Sequence, residues 1–229
     1  MDNVSIVIPV KDEEIGLKYL LEDFTSSGIE KLYSVNFIFI IDERTNDNSL
    51  SIAKNFTHQT IDQSSVHGKG AAIKQAIEKI NFDKLKYIVF LDADGSYSFE
   101  GVKTILSAMG DGCDVCSGSR FVSSKGRPIG MSRLHNLGNR LLSLVSSLKN
   151  RRQITDLCTG LWGFKSSALA KLEIKSNGFD LEAEIAGQVR KNTLVHREVA
   201  VEWSQRKGGT SKLRSIRDGA IIFFRILRT

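Results

Sequence analysis

Cysteine and proline are scarce: the chain of 229 residues carries three of the first and two of the second. Three thiols cannot build a disulfide framework, and the odd count argues against a secreted, cross-linked design. Cys113 and Cys116 form a C-x-x-C, which invites a zinc or redox reading. No second C-x-x-C and no histidine pair accompany it, so buried thiols are expected instead. No apolar run reaches the roughly eighteen residues that a membrane-spanning helix needs. The opening residues, MDNVSIVIPV, lack the basic stretch of a signal peptide. No Pro/Gly-rich linker and no internal repeat is visible, so one domain is expected over 1–229. With 41% hydrophobic and 25% charged residues, the composition is that of a globular chain able to bury a substantial core.

Acid is missing from one long stretch. Residues 120–152 hold eight Arg or Lys and no Asp or Glu, and residues 206–229 hold seven basic residues against Asp218 alone. The net charge is +6. Such patches suit nucleic acid, phosphorylated ligands or an anionic membrane surface, or they are simply solvated faces.

What is present is alternation. VSIVIP (4–9), VNFIFII (35–41), YIVFL (87–91) and DVCSGS (114–119) read as strands. A weaker strand falls near His58–Ile61. Helical spacing covers 13–24, 46–56 (Asn46 as a candidate cap), 70–80 and 98–109. Continuous apolar strands between helices predict a mostly parallel sheet covered on both faces. An amphipathic helix follows at 131–148, with Leu134, Leu137, Leu141, Leu144, Val145 and Leu148 as its stripe and Arg133, Asn136 and Arg140 off it. A helix near 180–191, a strand near 194–201 and a final helix near 211–228 complete the pattern.

Ligands of such sheets sit beyond the carboxyl ends of the strands. There, FLDADGSYSF (90–99) delivers Asp92 and Asp94 two residues apart. In extended chain both point the same way, which suits one hard cation held with substrate phosphates. VSIVIPVKDEE (4–14) and FIFIIDERTND (37–47) end in acids as well, suited to ribose hydroxyls or a base N–H. VHGKGAAIKQAI (66–77) fits neither a Walker loop nor the dinucleotide fingerprint. Gly68 and Gly70 either admit a nucleotide, with Lys69 near its phosphates, or form a tight loop before a core helix.

VIPVKDEE, IDERTNDNS, GKGAA, DADGSY and SGSRF, in this order, resemble the family 2 inverting glycosyltransferases. The likeness is greatest to the polyprenyl-phosphate sugar synthases, of the dolichol-phosphate mannose synthase type, over about residues 4–215. The resemblance implies a single Rossmann-like α/β domain of the GT-A type, a nucleotide-sugar donor, Mg²⁺ or Mn²⁺, and no covalent enzyme intermediate. It implies a donor half at 1–120 and an acceptor half at 121–229. Pro9, Val10 and Glu13 match the nucleoside-lining segment, Asp42 the acid after the second strand, and Lys69–Gly70 the Gly-Lys-Gly loop. Asp92 and Asp94 match the metal motif, with Ser96 at the third-ligand position, where the lipid-phosphate enzymes often carry Gln. Arg120 and Arg133 match residues that hold an acceptor phosphate. Arg206, Ser211 and Lys212 match the late basic motif that closes over diphosphate or acceptor. Asp94, Arg120, Arg133 and Asp156 are the catalytic candidates. Glu43 and Arg44 depart from the family pattern, which puts an Asp and a Gly there.

TDLCTGLWGFK (155–165) and GFDLEAEI (178–185) also resemble family segments, which would set Asp156 and Glu182 near sugar or acceptor. Leu161, Trp162 and Phe164 read as core or as a sugar-facing wall. Glu184 reads as a helix cap or pairing residue.

A phosphate acceptor is already ionised and needs cations rather than a base, whereas a hydroxyl acceptor needs a carboxylate such as Asp156 or Glu182. The acid-free stretch 120–152 and its leucine stripe favour polyprenyl or dolichyl phosphate and a membrane surface; the alternative is that the stripe packs in the core. The apolar and basic tail 218–229 continues that face, dimerises, or marks where a longer chain enters the membrane. The expected location is cytoplasmic, peripheral on the cytoplasmic face of a membrane. A nucleotidyltransferase is disfavoured because no glycine- and arginine-rich loop follows the first strand. Acids at three strand ends and the lack of any binding motif argue against nucleic acid as partner.

Overall fold

The structure is a computed structural model that describes residues 1–56, 60–63, 66–122, 126–212 and 215–229. Its elements run β1 (Asp2–Val10), α1 (Glu14–Ser27), β2 (Tyr33–Asp42), α2 (Ser49–Phe56), β3 (Thr60–Gln63), α3 (Lys69–Lys79), β4 (Tyr87–Leu91), α4 (Phe99–Gly110) and β5 (Val115–Ser119). They continue as α5 (Arg133–Asn150), β6 (Leu161–Lys165), α6 (Ser166–Leu169), α7 (Leu181–Lys191), β7 (His196–Ala200) and α8 (Ser215–Arg228).

The strands join one seven-stranded sheet in the order β3-β2-β1-β4-β6-β5-β7. β6 runs antiparallel to both its neighbours, and the other pairings are parallel. The chain builds outward from β1 to β3, then restarts on the other side with β4. That reversal opens a crevice above the β1–β4 junction, where ligands bind in doubly wound sheets.

Two cores cover the two faces. Leu17, Leu20 and Phe24 of α1 and Phe99, Val102 and Leu106 of α4 bury one face, where Phe24 meets Phe37 edge-on at 4.8 Å. Ile73 and Ala76 of α3 with Ile185 and Val189 of α7 bury the other. A smaller core, Leu142, Leu157, Ala183, Ala186, Ile222 and Ile226, joins α5, α7 and α8.

Several expectations shift. α2 starts at Ser49 rather than 46, because Asp47 Oδ1 takes the Ser49 N–H at 3.0 Å. The weak strand lies at Thr60–Gln63; His58 falls outside the described residues. α8 begins at Ser215, which leaves Ser211 and Lys212 in a loop. Cys113 and Cys116 are buried free thiols. Leu161, Trp162 and Phe164 are buried core in β6, a strand that the apolar pattern did not announce.

α5 is the unusual helix. Leu134, Leu137, Leu141, Leu144 and Leu148 are 57–72% exposed. Its buried face is Asn139, Leu142, Ser143, Ser146 and Asn150. Those polar groups are bonded rather than stranded, as burial requires. Ser143 Oγ accepts from Leu157 N at 2.9 Å, and Asn139 Oδ1 accepts from Cys158 N at 3.0 Å. Val145 leaves the stripe and packs beside the small core.

Candidate functional site

A cavity of about 420 Å³ lies over the carboxyl ends of β1, β2 and β4. Pro9, Val10, Glu13, Asp42, Lys69, Asp92, Asp94, Ser96, Arg120, Arg206, Ser211 and Lys212 all line it. Gly70, Arg133 and Asp156 do not.

Asp92 and Asp94 are set there by close backbone packing. A Cβ on Gly16 would lie 2.6 Å from Asp94 Cα, so only glycine lets α1 cross the turn after β4. A Cβ on Gly160 would lie 2.0 Å from Asp92 Oδ2. Asp94 Oδ1 accepts from Ser96 N at 3.0 Å, and Asp94 Oδ2 lies 3.5 Å from an Arg206 terminal nitrogen. Among the described residues no group of three or more His, Cys, Asp or Glu could hold a metal. Two carboxylates in one cavity still fit a hard cation that completes its shell from phosphate and water.

In the Gly-Lys-Gly loop, Gly68 and Lys69 line the cavity. Gly70 N donates to Gly178 O at 3.3 Å and Ala71 N to Asn177 O at 3.1 Å. These two N–H groups near the start of α3 therefore have protein carbonyls as partners. A Cβ on Gly68 would stand 2.3 Å from Asn177 O, and one on Gly70 2.4 Å from Ser176 O. The glycines serve backbone contact. Lys69 Nζ instead lies 2.6 Å from Asp92 Oδ1 and 2.7 Å from Glu182 Oε1. Burial opposes its charge, yet these two carboxylates hold the ammonium well above its usual pKa. Burial pushes the Glu182 carboxyl up, against the pull of Lys69.

On the far wall the Arg120 side chain, 11% exposed, packs against Asp156, which is 0% exposed. Asp156 takes the Arg120 backbone N–H, Nε and one terminal nitrogen, and Asn139 Nδ2 as well. With its oxygens occupied, Asp156 faces Arg120 and not the cavity. Glu198 fixes the same loop through Thr155 N at 2.8 Å and Asp156 N at 3.1 Å. Arg133 is exposed at the start of α5, and His135 is the residue that this helix turns into the cavity.

Over the β1 end, Glu13 Oε1 meets both an Arg206 terminal nitrogen and Lys212 Nζ at 2.7 Å. Arg44 folds back on Asp42, with Nε at 2.8 Å and a terminal nitrogen at 2.6 Å. Those bonds hold the Asp42 carboxyl down to about 2.

Residues 5–173 match the model of glycosyl transferase family 2. The chain belongs to that family. The family 2 chain is 27% identical over 228 residues to glycosyltransferase AglJ of Haloferax volcanii, spanning 99% of this chain and 72% of the relative. It is 23% identical to a dolichol-phosphate mannosyltransferase of Pyrococcus furiosus, over 92% of this chain but only 59% of that protein's length. Its fold matches, at a TM-score of 0.71 and 14% identity, glucosyl-3-phosphoglycerate synthase of Mycobacterium tuberculosis in complex with Mn²⁺ and UDP-glucose. That match covers 99% of this chain and 77% of the other. The fold of this family 2 glycosyltransferase is thus shared with solved glycosyltransferase structures.

Tyr97, His135, Cys158, Phe179 and Trp203 also line the cavity, beyond the residues expected from the sequence. Trp203 had a signal, since it follows β7 at the same strand-end edge and bridges back to Tyr97. Phe179 stands in GFDLEAEI beside Glu182, a segment already singled out. Cys158 stands in TDLCTGLWGFK, another segment singled out above, whereas His135 had no signal, because only the packing of α5 brings it in.

Proposed function

We propose that this chain moves a sugar from a nucleotide-diphosphate donor to a polyprenyl or dolichyl phosphate, inverting the anomeric carbon. One observation carries the choice of acceptor. Two helices that expose apolar side chains also line the cavity, α5 through His135 and α8 through Ile222. On α5 the leucines face out, and on α8 Ile216 (83%), Phe224 (57%) and Leu227 (47%) are exposed. Exposed Arg133, Arg140, Arg151, Arg217 and Arg228 lie on the same helices or at their ends. An apolar face with basic flanks suits an anionic lipid surface. A lipid lying along it brings its phosphate to the cavity.

In this reading the acceptor phosphate oxygen attacks the anomeric carbon as the bond to the nucleoside diphosphate breaks. Arg120 meets the acceptor phosphate, and Asp156 keeps it aimed without touching substrate. Arg133, at the exposed start of α5, meets the lipid headgroup at the rim. Arg206, Ser211 and Lys212 meet the phosphates of donor or acceptor, exchanging Glu13 for them. Pro9, Val10, Glu13 and Asp42 line the nucleoside, and Lys69–Gly70 ties the donor wall to α7. Asp92 and Asp94, with Ser96 beside them, are the residues to hold Mg²⁺ or Mn²⁺. The ion, when bound, stabilises the departing diphosphate.

A second reading, a hydroxyl acceptor, is favoured by Glu182, a carboxyl at the cavity wall that could act as a base and whose pKa burial raises against the pull of Lys69. Glu182→Gln separates the two. Transfer retained on a lipid phosphate supports the first reading; transfer abolished, with donor binding intact, supports the second. For the donor half, Asp94→Ala is expected to fold normally and lose Mn²⁺-dependent affinity for the nucleotide sugar. Unchanged affinity would remove the metal assignment.

A further inference from the structure

Each carboxylate of the Asp92–Asp94 pair has a cation from elsewhere in the chain beside it, and each of those cations is tethered to a second acid. Lys69 reaches Asp92 Oδ1 at 2.6 Å and Glu182 Oε1 at 2.7 Å. Arg206 stands 3.5 Å from Asp94 Oδ2 and 2.7 Å from Glu13 Oε1.

The tethers are rigid. The two residues after Lys69 are bonded to that segment, Gly70 N to the Gly178 carbonyl and Ala71 N to the Asn177 carbonyl, and the contacts at 68 and 70 admit only glycine, so the backbone that carries Lys69 is held in place. The same 176–178 segment leads into α7, which carries Glu182. The Lys69 head is therefore fixed relative to Glu182, and Asp92 comes to it from another element. Lys69 is 14% and Glu182 9% exposed, so water screens the ion pair poorly.

We propose that Lys69, steered by Glu182, is a positioning residue that makes a divalent cation bind weakly alone and tightly only together with a nucleotide diphosphate. The inference rests on the donor reading above. Charge counting supports it. Asp92, Asp94, Glu13 and Glu182 face Lys69, Arg206 and Lys212, so four negative charges meet three positive ones. A lone divalent ion overturns that balance beside a fixed ammonium. An ion arriving with a diphosphate anion does not, because the phosphates supply the missing charge and give Lys69 and Arg206 a new partner. Metal without donor is thereby disfavoured.

Manganese titration followed by electron paramagnetic resonance tests this with no catalysis involved. The wild type is expected to bind Mn²⁺ weakly alone, and at least about tenfold more tightly with UDP or GDP, the scale of one short-range charge near a surface. Lys69→Met is expected to tighten binding of Mn²⁺ alone by about tenfold and to shrink the gain from nucleotide. Glu182→Gln has the opposite sign: Lys69 then leans wholly on Asp92, and Mn²⁺ alone binds more weakly than to the wild type. Lys74→Met, on the same helix but paired with Asn177, is expected to change nothing. Folded Lys69→Met that binds Mn²⁺ alone no better than the wild type overturns the inference, as does Glu182→Gln that binds it better. A wild type that binds no Mn²⁺ even with UDP or GDP overturns the donor reading itself.

Discussion

Asp156 grips Arg120 three times, through the backbone N–H at 2.9 Å, Nε at 2.6 Å and a terminal nitrogen at 2.6 Å. The acid has no exposure. Asn139 from α5 and Glu198 from β7 hold the acid and its loop in turn. The Arg120 cation at the cavity wall is therefore built into the fold.

Asp156→Asn leaves that buried guanidinium without its counter-charge. Breaking one partner of a buried pair costs about 3–5 kcal/mol. A loss of that order is expected in urea unfolding, and any folded fraction should show a raised KM for the lipid phosphate. A loss under about 1 kcal/mol would mean that the pair is far better solvated than its geometry implies.

Gly160→Ala is a test of placement. Its new methyl would stand 2.0 Å from Asp92 Oδ2, so the carboxylate must move. Overpacking costs about 1–3 kcal/mol. The expected result is a modest fall in stability and a large fall in Mn²⁺-dependent nucleotide affinity, read by calorimetry. Nucleotide affinity equal to the wild type would show that Asp92 has no part in donor binding.

The apolar strands β1, β2, β4 and β5 were readable because continuous Val, Ile and Phe runs mark strands buried on both faces. The acid tips followed from the ligand-edge rule, and they meet in one cavity. β6 was not readable. LWGFK is short and carries Gly163, whose Cβ would stand 2.3 Å from Ile105, so the glycine that lets α4 pack also breaks the strand pattern. The partner of Lys69 was hidden as well, since Glu182 joins it only through the docking of 176–178 on α3. Asp156 looked like a candidate base by residue type, and only its four donors show that it is occupied. In α5 the sequence displayed both faces, but which one turns inward depends on Asn139 and Ser143 finding backbone partners in the 154–158 loop.

The exposed leucines of α5 make a separable prediction. Leu137→Glu with Leu144→Glu is expected to alter stability by less than about 1 kcal/mol, because both side chains are at the surface. The same double variant should lose flotation with vesicles that contain anionic lipid. Unaltered flotation would separate the leucine face from membrane contact.

His196 predicts a pH limb. Stacked on Trp162 at 5.6 Å and 2.9 Å from Ser117 Oγ, its imidazole is pushed by burial down to about 3. In the unfolded chain it titrates near the ordinary value of about 6.5. The unfolded state then binds the extra proton first, so this contribution is complete above about pH 6.5 and is lost as pH falls toward 3. The denaturation midpoint should decline over that window, and less steeply in His196→Asn. Equal slopes would place the loss on other groups.

Transfer itself is the most direct test: radiolabelled sugar from a panel of GDP- and UDP-sugars, presented to polyprenyl phosphate in detergent with Mg²⁺ or Mn²⁺. Label from one donor is expected to enter the lipid phase, chelation to stop it, and Arg120→Gln to raise the lipid-phosphate requirement. Label that passes only to water or to a hydroxyl acceptor, with polyprenyl phosphate inert, would contradict the proposed function.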